Sequence, residues 1–219
     1  MTDNEIAALL AAYPAQKLAD GAYLTPPCRL SWISLAAPSA SMSRAEDLRY
    51  RATLLFPLAC NLDILKAAAQ EAAAAKWGAK LGEVAANPMF KRPLMLQDNK
   101  AGKYDGYVAG AMRANVATKR KPVIVGLDLA VLDAADQMAV YPGMWARAKI
   151  TVRAYDEKGG RGVAFDLVSL QKLADDNAFG GASVDATAGF GNGSGFTPKP
   201  ATPAATPAPV SQQPAGSLF

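Results

Sequence analysis

The sequence predicts a mainly β protein: a barrel of five to six strands, one inserted helix and a disordered C-terminal tail. Three observations carry this. Short stretches alternate apolar and polar residues with the period of two of a half-buried strand, and Pro or Gly turns separate them. One stretch, residues 62–77, has the composition of a long helix. Beyond Asp176, residues 180–196 are Gly-rich and 197–216 are Pro, Ala, Thr and Ser with almost no charge. Such a segment buries too little apolar surface to offset its ordering entropy.

In chain order, residues 1–22 form an extension with a short helix, because Thr2 and Glu5 have capping-box spacing ahead of an Ala/Leu run. Pro26 and Pro27 precede a strand at 28–35, in which Arg29, Ser31 and Ile33 oppose Leu30, Trp32 and Ser34. That alternation sets Trp32 with Leu30 and hence with the core, which leaves its role ambiguous. A second strand at 48–56 sets Tyr50, Ala52, Leu54 and Phe56 against Arg49, Arg51 and Thr53. The helix at 62–77 opens with Asn61 as a cap and Asp63 in its first turn, and Gly78 closes it. Residues 79–106 are irregular. A strand at 107–117 turns Val108, Met112, Ala114 and Val116 inward and Tyr107, Arg113 and Asn115 outward. The cationic turn Lys119-Arg120-Lys121 leads to a short strand at 122–125. Strands at 144–155 and 161–173 flank the hairpin signal at 156–160. The barrel domain therefore spans 23–179, and the tail 180–219.

Composition narrows the chemistry. The chain has 219 residues and a net charge of only +4, so a nucleic-acid site must come from local clustering. It has no histidine, and its two cysteines, Cys28 and Cys60, read as small core residues. Without histidine or a CxxC pair there is no basis for a Cys/His zinc site or a Ser–His or Cys–His catalytic pair. Asp128, Asp133 and Asp136 match no metal motif and read as a surface turn. No enzymatic activity, cofactor or metal is expected. No apolar run approaches membrane-span length, and residues 1–12 lack a basic signal-peptide start. The expectation is a soluble protein of a reducing compartment.

The strand at 144–155 carries the functional reading. Met144, Ala146, Ala148, Ile150, Val152 and Ala154 form one face, and Trp145, Arg147, Lys149, Thr151, Arg153 and Tyr155 the other. Three spaced cations with a ring at each end suit a single-stranded nucleic acid, cations along the phosphates and rings against unpaired bases. The same face extends to Arg113, Asn115 and Tyr107. Arg49 and Arg51 follow, and Lys119, Arg120 and Lys121 form a backbone clamp.

Ordered blocks along the chain carry a family resemblance: Arg29-Leu30-Ser31-Trp32, then Tyr50-Arg51-Ala52-Thr53-Leu54-Leu55-Phe56-Pro57, Lys76-Trp77-Gly78, and Asp105-Gly106-Tyr107. After these come Lys121-Pro122-Val123-Ile124-Val125, Tyr141-Pro142-Gly143-Met144-Trp145, and the run from Gly162 to Leu173. Over about residues 25–185 the sequence resembles the bacteriophage single-stranded DNA-binding proteins of the DUF2815 family, which have an OB fold. The resemblance implies an OB-fold-like barrel that coats single-stranded DNA in phage replication and recombination, in the cytoplasm of a bacterial host cell. Such proteins commonly end in an acidic tail with a terminal aromatic. This tail ends in Leu218-Phe219 without the acids, so phage replication or recombination proteins are expected as partners only through that hydrophobic tip. The competing reading is a protein-interaction or virion structural module.

Overall fold

Alternation places a strand's side chains on two faces, and the apolar face must find a core. Met144, Ala146, Ala148 and Ile150 have no exposure at all, and Leu30, Leu54, Phe56, Phe165, Leu167 and Leu170 close around them. The computed structural model describes residues 1–41, 44–136, 138–157 and 160–180. Its elements are α1 (Asp3–Ala12), β1 (Gln16–Lys17), β2 (Tyr23–Leu24), β3 (Cys28–Ser41), β4 (Arg44–Leu55), α2 (Asp63–Trp77), α3 (Leu81–Ala86), β5 (Leu94–Leu96), β6 (Met112–Thr118), β7 (Val123–Val125), β8 (Trp145–Glu157) and β9 (Gly160–Ala174).

Five of these strands close on one another. β3 pairs with β4, β4 with β6, β6 with β9, β9 with β8, and β8 returns to β3. Only the β6–β9 contact is parallel. The result is an OB-like ring with two short seams. Cys28↔Ala146 and Arg29↔Trp145 join β3 to β8, and Val116↔Phe165 and Ala117↔Asp166 join β6 to β9. β2 adds to β8, β1 to β2, β5 to β6 and β7 to β9. These two- and three-residue strands are too short to show a period, and only β7 is legible in the sequence.

The helices follow local chemistry. At α1 both halves of the Thr2/Glu5 capping box form. At α2, Asn61 Oδ1 accepts the Asp63 N–H at 2.8 Å, and Gly78 ends the helix. α2 lies between the second and third ring strands and buries Leu65 and Ala68 in the main core. Its far end packs Ala73 with Val84, Phe90 and Val163, and Trp77 meets Phe90 edge-on at 5.5 Å. Residues 79–106 are more ordered than expected, because α3 and β5 lie within them. Asp128, Asp133 and Asp136 build turns: their carboxylates accept the backbone N–H of Ala130, Ala135 and Met138. Cys28 and Cys60 are free thiols, and burial pushes Cys60 up to about 12. Among the described residues no helix is long and apolar enough to cross a membrane.

After β9 the chain returns across the ring, and Asp176 anchors it. The Asp176 carboxylate accepts Trp145 Nε1 at 2.8 Å and the N-terminal ammonium at 2.9 Å, and the Arg29 guanidinium lies 3.8 Å away. Tyr141 Oη donates to Asp175 at 2.7 Å and accepts the Asp176 N–H at 3.1 Å. Close approach here requires glycine. At Gly143 (φ +105°) a Cβ would collide with the backbone of Asn177, and at Gly106 (φ +79°) with the ring of Phe179.

Burial raises the Asp176 pKa, but the donors from Trp145, the N-terminus and Asn177, with Arg29, outweigh it and bring it down to about 2. A carboxylate depressed on folding contributes stability that is complete above its unfolded value, near 3.8, and lost as pH falls toward 2. Asp176→Asn should therefore lower the melting temperature at pH 7. The gap to the parent should narrow between about pH 4 and pH 2 in acid titrations followed by circular dichroism.

Candidate nucleic-acid interface

The outer face of β8 is where the sequence places a stacking platform, and the structure has covered or neutralised most of it. Trp145 is 2% exposed, its indole bonded to Asp176. It is a buried packing residue rather than an open ring, because the returning C-terminal segment crosses over it. Arg147 donates to Gln171 Oε1 at 2.8 Å and stacks 4.8 Å from the Tyr13 ring, just past α1. Lys149 pairs with Asp20 at 2.5 Å, which holds that carboxyl below its usual range. Arg153 bonds Asp166 at 2.8 Å, lies 3.9 Å from Glu157 and stands over the Tyr155 ring. Tyr155 is half-buried.

A second face keeps its charge. On the outside of β4 and β6 the register aligns Ser31↔Thr53↔Asn115 in one row, Leu55↔Arg113 below it and Arg51↔Ala117 above it. Thr53 Oγ1 donates to Asn115 Oδ1 at 3.0 Å, and Arg113 Nη1 donates to the same oxygen at 3.3 Å. Arg113 is only 9% exposed, yet its Nε–H has no acceptor. A buried polar group without a partner is rare and costly. Beyond this row, Arg51 donates to the backbone oxygens of Ser39 and Asp47, and Arg49 pairs with Asp47. Tyr50↔Thr118 brings the following Lys119-Arg120-Lys121 turn beside this end of β4. All three of those cations are exposed, and none takes part in an ion pair among the described residues.

At the other end of the row lies an aromatic cleft of about 500 Å³. Ser31, Trp32, Ile33, Tyr104, Pro142 and Phe179 are among its walls, and Lys103 and Asp105 stand at its edge. Trp32 is the correction that matters most. The alternation put it in the core, but it is 57% exposed. Between Ser31↔Thr53 and Ser34↔Arg51, β3 spends three steps where β4 spends two, a β-bulge. Trp32 sits in that bulge at φ +48°, in the left-handed region that bulky residues avoid. Its ring meets Tyr104 edge-on at 5.5 Å, and Tyr104 lies 6.1 Å from Tyr107. Lys100 Nζ stands 5.3–5.4 Å from the centroids of all three rings. Tyr107, read from the sequence as outward, is 6% exposed and reaches Ser31 Oγ at 3.5 Å. It therefore underlies the cleft rather than lining it. Sequence reasoning missed Trp32, Lys100, Lys103 and Tyr104. The only signal for the last three was a loop with two lysines beside a tyrosine. Leu218 and Phe219, with the rest of the expected tail from residue 181, lie outside the described residues.

Comparison with known proteins places this geometry. A family model described as Enterobacter phage Enc34, ssDNA-binding protein, matches residues 16–197. Among solved structures, the single-stranded DNA-binding protein of bacteriophage Enc34 in complex with ssDNA is similar, with a TM-score of 0.62 at 20% identity. That match covers 77% of this chain and 98% of that one. A C-terminal truncation of the Enc34 protein gives 0.62 at 19%, covering 76% and 94%. The gp2.5 single-stranded DNA-binding protein of bacteriophage T7 gives 0.51 at 14%, covering 81% and 98%. At these identities the structural likeness establishes the fold. No curated protein sequence matches the chain significantly.

Two measurements check the placement of the rings. Trp145→Ala should destabilise the fold by about 3–5 kcal/mol in urea titrations, as deletion of a buried aromatic does. Trp32→Phe should remove most of the acrylamide-quenchable tryptophan emission and leave the melting temperature nearly unchanged.

Proposed function

The chain belongs to the family of the Enterobacter phage Enc34 ssDNA-binding protein, and from that premise we propose that it coats single-stranded DNA without acting on it. The proposed path is the outer face of β4 and β6. The observation that carries it is the unpaired charge there: Arg113 with its acceptorless Nε–H, and the exposed run Lys119, Arg120 and Lys121. Phosphates supply acceptors of the needed sign and spacing. Thr53, Asn115 and Ser31 form a polar floor that contacts a strand without selecting a sequence.

The role extends to protection of single strands in phage replication and recombination, in the host-cell cytoplasm. In that reading residues 1–22 are an extension, 23–179 the binding domain, and 180–219 a tether whose Leu218-Phe219 tip recruits other phage proteins. Lys149 and Arg153 on β8 contribute little to the path, because each phosphate drawn to them also meets the carboxylate that holds them.

Anisotropy of labelled oligo-dT against salt tests this. Binding should weaken linearly in log–log form with a slope of about −0.7 per phosphate contact. Lys119→Ala, Lys121→Ala and Arg113→Gln should each make the slope shallower by about that amount. Arg153→Ala should leave it close to the parent's, since Asp166 already neutralises that charge. Unchanged slopes in the first three variants, or a large change in the fourth, would move the path to β8.

A further inference from the structure

We infer that the cleft between Trp32 and Phe179 is a single-nucleotide subsite. In it one unstacked base of the bound strand lies on the face of Trp32, and Lys100 and Lys103 hold its phosphate. This rests on the single-stranded DNA reading and goes beyond it, since the charged path alone assigns no residue to a base.

Four observations converge on this cleft. Trp32 is a large ring left 57% exposed on a strand whose Cys28, Leu30 and Leu35 are buried. Its backbone is held at φ +48°, one of two non-glycine residues with positive φ among those described. Such strain persists where the surroundings enforce it, and it clusters at binding sites. The cleft is walled by flat or apolar groups, Trp32, Tyr104, Ile33, Pro142 and Phe179, with Ser31, Lys103 and Asp105 as the polar groups at its margin. That is the makeup of a site for a flat heterocycle with polar edges. Finally, Ser31 belongs both to the cleft and to the polar row Ser31↔Thr53↔Asn115, so a strand lying on β4 and β6 reaches the cleft without a break.

Lys100 makes the subsite specific for a base that arrives with its phosphate. With no ligand, its ammonium stands over Trp32, Tyr104 and Tyr107 at 5.3–5.4 Å and is stabilised by their π faces. A base stacking on Trp32 takes that place. The ammonium then moves to the phosphate that arrives with the base, so its attraction to rings is replaced by an ion pair. A base without a phosphate would displace the cation and give it no new partner.

The test compares oligo-dT with an abasic oligonucleotide of equal length and charge, using anisotropy and tryptophan emission. The parent should bind oligo-dT more tightly than the abasic strand and be quenched only by oligo-dT. Trp32→Gly is the informative variant, because glycine accepts φ +48° without strain. Its melting temperature should hold or rise, while its affinity for oligo-dT falls about 5- to 150-fold, the equivalent of one stacked base at about 1–3 kcal/mol. Its affinity for the abasic strand should stay at the parent's value. Lys100→Ala should weaken both strands and leave the quenching by oligo-dT at saturation. Equal losses on both strands in Trp32→Gly, or no loss on either, would overturn the subsite while leaving the charged path intact. Quenching of the parent by free thymidine, which brings no phosphate, at the same base concentration would overturn the role given to Lys100. A parent that binds neither strand would overturn the single-stranded DNA reading, and the subsite with it.

Discussion

Ring closure makes β3 serve two partners on opposite edges, and the exposed features of the site follow from that constraint. At Cys28 and Arg29 the strand bonds β8, and from Arg29 onward it bonds β4. Leaving one neighbour while following the other demands a sharp local coil, and an extra residue between Ser31 and Ser34 supplies it. The consequence is one of parity. Residues on one face of an unbroken strand are separated by even numbers, yet Leu30 and Leu35 both point into the core. The odd step between them ejects Trp32 to the outside. The bulge that lets the ring close is therefore also what presents its most exposed tryptophan.

The inner half of this architecture was legible from the sequence because it depends on local period alone. Ala146, Ala148 and Ile150 on β8, Ala52 and Leu54 on β4, and Ala114 and Val116 on β6 all face the core, as their alternation requires. The capping box of α1 was legible for the same reason: donor and acceptor lie within three residues of each other. At α2 the expected cap Asn61 sits one residue too early, and Leu62 occupies the cap without a side-chain bond. What failed were mainly statements about outward faces, which depend on what the rest of the chain lays over them; Val108, expected inward, lies before β6 begins and is 49% exposed. Arg147, Lys149 and Arg153 look like a free cationic stripe. Their partners Gln171, Asp20 and Asp166 lie 24, 129 and 13 residues away. Trp145 is covered by a segment 31 residues further on. Trp32 failed for a different reason, because a bulge has no signature in a run of ordinary residues.

Neutralising one face concentrates the remaining charge on another. A chain with a net charge of +4 has few cations to spare. Surface ion pairs of the Arg153–Asp166 kind contribute roughly 0–1 kcal/mol to stability, so holding the fold together is a small part of their effect. Their larger effect is electrostatic, since each paired carboxylate cancels the field that would attract phosphate to β8. Lys119, Arg120 and Lys121 are exposed and form no ion pair among the described residues. They lie along β4 and β6, beside the polar row that leads to the aromatic cleft.

Charge alone would not give a preference for single strands. A duplex has the denser phosphate array and releases more counterions per contact, with a slope of about −0.9 against about −0.7 for a single strand. A purely cationic path would therefore favour duplex over single strand as salt falls. Selectivity has to come from a group that rewards a base only when it is out of its stack, and in a duplex no base face is free. The proposed subsite beside Trp32 would meet that requirement, because entering it would mean leaving a neighbour's ring for the protein's. Keeping a bulky residue at φ +48° costs on the order of 1–3 kcal/mol, and one stacked base returns about the same amount. The two magnitudes match, so the proposed stacking would offset the strain at Trp32. The same residue, at the same cost, would be a poor bargain in a protein that bound only the backbone.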